Sequence, residues 1–138
     1  MDTGAELVSP VWLLMGATGS APGFLYLKKQ RVAFEVTRRG ALTEGQSNRL
    51  MGLFHDPGLN GTWSPEGTPV VFDVPLSEVT GVRFPWYEFG GGMRIHLGSH
   101  RFRFSFVQPS NTAVEPHAPG MGRGRAACRH WKDALSRL

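Results

Sequence analysis

The sequence predicts a mainly β chain: a partly open antiparallel barrel of about seven strands, closed by one C-terminal α-helix. Three observations predict it. Residues 93–107 sort cleanly as a hairpin around Gly98-Ser99, a Gly-X pair of the kind that makes a two-residue type II′ turn. In that register Met93, Ile95, Leu97, Phe102, Phe104 and Phe106 share one face, and Arg94, His96, Arg101 and Arg103 share the other. A slip of one residue would mix the two faces, so the pattern argues for its own register. GFLYLKKQRVAFEV sorts the same way around Lys29-Gln30, with Leu25, Leu27, Val32, Phe34 and Val36 inward and Tyr26, Ala33 and Glu35 outward. From about Arg125 the period changes to 3.6: Ala127, Trp131, Leu135 and Leu138, joined by Ala134, make one apolar stripe over 125–138.

The chain of 138 residues is one domain by size, 1–138, and long enough for a core. Its 18 glycines and 10 prolines suit a turn-rich β protein. The formal charge of +4 permits an anionic partner without requiring one. A single cysteine, Cys128, rules out an internal disulfide and argues against structural zinc. Asp2 and Glu6 stand where a signal peptide would be basic, and the apolar run Val11–Ala17 is too short to span a bilayer. The expectation is a cytoplasmic protein without a transmembrane segment, peripheral at the membrane if its ligand is a lipid.

Taken in order, residues 1–8 read as a flexible lead-in, a strand is expected at about 10–16, and Ala17–Gly23 as a loop. The hairpin above follows, with a basic tip of Lys28, Lys29 and Arg31. Residues 40–69 read as an insert. Thr43 to Gln46 fits a capping box, with Leu50, Met51 and Phe54 as one face of a short helix; a loop followed by a strand at 50–54 is the rival reading. His55–Pro69 has loop composition, with Trp63 as a lid over the barrel end. Val70, Phe72 and Val74 alternate inward until Pro75, which confines that strand to an edge or to its own end. Ser77-Glu78 marks a turn before a strand Val79–Tyr87. With Phe89–Gly92 as the loop, Trp86 faces Ile95, Phe84 faces Leu97 and Tyr87 faces Arg94. Residues 108–123 read as a linker before the helix.

Two stretches carry a resemblance. LYLKKQRVAF (Leu25–Phe34) resembles the L-Y-L-T-x-x-R-L-V-F signature of GRAM-type domains, with Lys28 where that family tends to have Thr. VPLSEVTGVR (Val74–Arg83) resembles their I-P-L-S-x-I-x-x-V pattern, and HWKDAL (His130–Leu135) is similar to their closing W-x-x-A-L. In order and spacing these residues resemble the GRAM and pleckstrin-homology-like (PH-like) domains, bacterial members of which often have no assigned ligand. The resemblance implies a scaffold that binds lipid head groups, phosphoinositides in particular, or protein segments. It does not imply one activity.

Candidate sites follow from charge and aromatic placement. Arg94 opposite Arg103, with His96 opposite Arg101, makes a positive stripe that phosphate would relieve. The competing reading is a solvated face neutralised by Glu35 or Glu88. Lys28, Lys29 and Arg31 could attract an anionic membrane, or be a solvated hairpin tip. Tyr87 and Phe89, beside the glycine run Gly90–Gly92, could grip a partner or a membrane; Tyr87 stacking on Arg94 is the structural alternative. Arg125 and Arg129 could lower the pKa of Cys128. Gly120–Gly124 lacks the ending of a phosphate loop and reads as linker. The histidines have no metal-ligand spacing, and no nucleophile–base–orienter set is legible, so neither a metal, a cofactor nor an enzyme is expected. The preferred reading is a binding module for an anionic lipid head group or a protein segment. The alternative is an assembly domain without lipid affinity, using a sheet edge or the aromatic loop 85–92. Nucleic acid is disfavoured because the outward faces lack a stacking platform.

Overall fold

The structure, a computed structural model, describes residues 6–16, 19–37, 42–62, 69–85, 91–109 and 121–136. The C-terminal hairpin takes the register that side-chain parity demands. β6 (Gly92–Leu97) and β7 (His100–Ser105) pair from Gly92↔Ser105 to Leu97↔His100, and Met93, Ile95, Leu97, Phe102 and Phe104 are buried. Gly98 takes φ +61 at the turn, which its missing Cβ makes inexpensive. β2 (Gly19–Lys28) and β3 (Arg31–Val36) pair as expected, with Leu25↔Phe34 and Leu27↔Val32 on the inner face. Their turn is different in kind. Lys29 (φ 52) and Gln30 (φ 63) are both left-handed, where an L side chain costs roughly 1–2 kcal/mol.

Seven antiparallel strands form one sheet in the order β4-β3-β2-β1-β7-β6-β5, with β1 at Leu7–Met15, β4 at Val70–Pro75 and β5 at Val79–Arg83. The sheet does not close, because β4 and β5 do not pair. It curls instead. Phe34 on β3 meets Phe104 on β7 edge-on with ring centres 4.9 Å apart, and Phe72 on β4 meets Phe102 at 4.8 Å. These strands are not neighbours in the sheet, so their rings touch only because the two halves fold towards each other over an aromatic core.

Several expectations need correction. β1 begins at Leu7, inside the stretch read as a lead-in. β2 begins at Gly19, so residues 19–23 are strand, not loop. Glycine there serves packing: a Cβ on Gly23 would run into the Phe34 ring. β5 stands four residues out of the expected register, with Val82 opposite Ile95 and Arg83 opposite Arg94. Phe84 follows the strand and does not face Leu97. β4 carries an extra residue opposite Phe34/Glu35, which makes Val71 fully buried and leaves Val70 only partly so. A second irregularity lies in β5 between Val79 and Gly81.

The insert is ordered around helix α1 (Glu44–Leu53), which excludes the strand reading of 50–54. Thr43 accepts from the Gln46 N–H while the Gln46 side chain accepts from the Thr43 N–H, so the capping box forms in full. The apolar face is Leu50, Leu53 and Phe54; Met51 is 40% exposed. Gln46 also donates to the Met15 carbonyl at 3.0 Å, and Leu59, in a 3-10 turn over Pro57–Leu59, is 1% exposed in the core. Helix α1 and this turn therefore pack against the core of the open sheet.

Helix α2 (Met121–Leu135) starts earlier than its periodicity suggests, and takes Gly122–Gly124 out of the expected linker. Gly124 is buried on the backbone of Phe106, where a Cβ would collide with the carbonyl. Trp131 is fully buried, packs on Phe106 and donates its indole N–H to Ser9 Oγ at 2.9 Å. Cys128 is buried beside it, and burial pushes its thiol up to about 11, the reverse of the expected lowering by Arg125 and Arg129. Trp63, Trp86, Tyr87, Glu88, Phe89 and Leu138 lie outside the described residues, so the neutralising role expected of Glu88 and the roles expected of the aromatics do too.

Candidate anion-binding site

The corrected register of β5 creates the main electrostatic feature of the sheet. Arg83 pairs with Arg94, and Arg94 pairs with Arg103, so three arginines stand side by side across β5, β6 and β7. His96 opposite Arg101 forms the next row. All five project from the face opposite the core, and the three strands contain no Asp or Glu. Like charges opposed on neighbouring strands disfavour the sheet by a few tenths to about 1 kcal/mol per pair. Arg94 is partly buried and engaged by another group, while Arg83 and Arg101 are exposed.

Arg103 carries this face into a cleft. β1 and β7 pair only from Trp12↔Ser105 to Leu14↔Arg103, and beyond that point they part. Between them lies a space of about 250 Å3, lined by Met15 and Gly16 on one side and His100, Arg101 and Arg103 on the other, with Arg49 and Leu53 of α1 over it. The carbonyls at the parting are already occupied. Gln46 holds that of Met15 at 3.0 Å, and the Arg103 Nη1 holds that of Gly16 at 3.3 Å. The Arg103 Nε is buried and has no partner. The Arg49 and Arg101 side chains have no hydrogen-bond or ion-pair partner among the described residues. The cleft offers guanidinium N–H donors beside an apolar lining of Leu13, Leu14, Leu53 and Phe102, and none of its lining residues is a carboxylate.

His100 is held at the rim. Its Nε2 shares a 2.6 Å hydrogen bond with Asp56 Oδ2, and its ring stacks on Phe102. The other Asp56 oxygen accepts from the Gly58 N–H at 2.8 Å. That backbone bond first, and His100 second, hold the Asp56 carboxyl below its ordinary 3.8. The pair ties the 3-10 turn region to β7 and keeps the Asp56 carboxylate engaged.

The structure therefore brings Arg94, His96, Arg101 and Arg103 together and adds Arg83 and Arg49, which sequence reasoning missed. It does not bring in the hairpin tip. Lys28, Lys29 and Arg31 are exposed near the Leu7 end of β1, whereas the cleft opens at its Met15 end. Arg31 is paired with Asp73 at 3.0 Å, and Glu35 accepts from the Tyr26 hydroxyl at 3.3 Å, so Glu35 does not neutralise the arginine rows. Burial, and then Glu35, raise the Tyr26 pKa above its ordinary value. Among the described residues no cluster of His, Cys, Asp and Glu could hold a metal ion, and no helix is long and apolar enough to cross a membrane. No protein-family model, curated protein or solved structure matches the chain.

Proposed function

We propose that the chain is a non-enzymatic binding module for a phosphate-bearing anion, taken in the cleft where β1 and β7 part. One observation carries the reading: guanidinium groups from separate elements, Arg49 on α1 and Arg101 and Arg103 on β7, line one space that no carboxylate lines. Arginine forks match phosphate oxygens, and hydrogen bonds to charged groups contribute roughly 1.5–3 kcal/mol each. Arg83 and Arg94 extend the same field along the sheet. The strand order, with a helix after the last strand, is the layout expected of a PH-like or GRAM-like domain, and it supports that kinship as part of the proposal.

The phosphate could come from a lipid head group or from a soluble ligand, and one experiment separates the sources. Inositol trisphosphate is titrated calorimetrically, and neutral vesicles are compared with vesicles carrying a phosphoinositide, at low and high salt. Binding in both arms, weakened about tenfold or more by Arg101→Ala and screened by salt, supports the module with a lipid source. Binding to the soluble anion alone assigns a soluble ligand. No binding in either arm, in a chain that remains folded, overturns the reading. A second reading, protein contact, is favoured by a different face of the sheet.

A further inference from the structure

We infer that the outward face of β1–β3 is a self-complementary surface that takes a second copy of this chain. Its centre is apolar. Val8 is 53% exposed, and the only other large hydrophobic side chain so exposed among the described residues is Met51 on α1. Val8 stands in one row with Tyr26 and Ala33, and Pro10 in the next with Phe24 and Glu35. The Phe24 and Tyr26 rings are 6.5 Å apart. An apolar, aromatic centre inside a charged rim is the anatomy of a protein contact.

The rim carries both signs, which argues for a second copy over an anionic surface. Lys28, Lys29 and Arg31 occupy the tip; Glu35 lies two residues below Tyr26 on the paired strand, Asp73 is on β4, and exposed Glu6 precedes Val8 in phase. Consider a two-fold axis lying in the interface along the Val8–Tyr26–Ala33 row. Val8 and Tyr26 meet their own copies, and so does Asp73, which Arg31 of its own chain offsets at 3.0 Å. The Lys28–Arg31 row of each copy then lies over the Phe24–Glu35 row of the other, with Arg31 over Glu35. A membrane would meet Glu6, Glu35 and Asp73 on this face, and they offset the cations.

The footprint is small. Three strands spaced about 4.8 Å apart, over about six residues of roughly 3.3 Å each, give about 300 Å2 a side, below the roughly 600 Å2 a side of a stable interface. The dimer is therefore weak and concentration-dependent.

Sedimentation equilibrium of the full chain, from low micromolar to millimolar, tests this. The expected result is a monomer–dimer equilibrium weakened about tenfold or more by Val8→Glu and by Glu35→Lys, with Arg31→Glu combined with Glu35→Lys restoring it. Rescue by charge exchange is a result that loss of folding could not mimic. A monomer at every concentration, or variants that associate like the native chain, overturns the inference. So does association with anionic vesicles through Lys28 and Lys29 without dimerisation. Inositol trisphosphate binding should not respond to Val8→Glu, which keeps this surface distinct from the cleft.

Discussion

On the outward side of β5–β7, Arg83, Arg94 and Arg103 stand in one row with His96 and Arg101 beside them, and the three strands supply no carboxylate. On the outward side of β2–β4, Arg31 has Asp73 at 3.0 Å and Glu35 accepts from Tyr26. Both faces belong to one sheet and are built from the same pleat. The second settles its charges locally, as most sheet surfaces do. The first stacks like charges across two strand pairs, with Arg94 engaged by a further group, and draws no counter-charge from its own strands. The contrast separates the roles proposed for the two faces: the unbalanced one recruits an opposite charge, and the balanced one meets a surface like itself.

The largest effect should come from removing what both faces rest on. Trp131 holds α2 against Phe106 and Ser9. Trp131→Ala is expected to lose about 3–5 kcal/mol in urea denaturation, and a loss below about 1 kcal/mol would mean that the curl does not depend on α2. A smaller change should turn one face into the other. Arg83→Glu places a carboxylate opposite Arg94, and is expected to raise stability by up to about 1 kcal/mol while weakening binding of the soluble phosphate probe. Loss of stability instead would show that the arginine row is already compensated. The smallest effect is acid sensitivity at the rim. Folding lowers the Asp56 pKa, so its contribution is present above 3.8 and is lost as the pH falls through the folded value. Amide exchange in the insert should accelerate over that acid range, and Asp56→Asn should abolish the step; an unchanged profile would detach Asp56 from the ordering of the insert.

Parity explains what could and could not be read from the chain beforehand. The two hairpins were legible because a one-residue slip would exchange their faces. The same test is blind to an even shift. Moving β5 by four residues preserves the inward and outward assignments from Gly81 to Arg83, and the aromatic run after Arg83 has strand composition, so Arg83 was hidden behind a consistent but displaced register. Arg49 was illegible for another reason: α1 meets the mouth of the cleft only through the tertiary path of the insert. Gly19–Gly23 looked like a loop because small residues serve both turns and close packing. The apolar period announced α2, but its first turn, Gly122–Gly124, contributes close approach to Phe106 and no apolar signal.

An open sheet has two exposed edges, and β4 and β5 are those edges here. Each carries one of the register irregularities, at Val71 and at Thr80. β4 is also bordered by Pro75 and joined at Val70 by Thr62. A strand with an extra residue cannot present an unbroken ladder of N–H and C=O groups to a neighbour, and proline removes a donor outright. Both irregularities therefore disfavour edge-to-edge growth into fibres, so a sheet left open is guarded at each side by the shape of its own last strand.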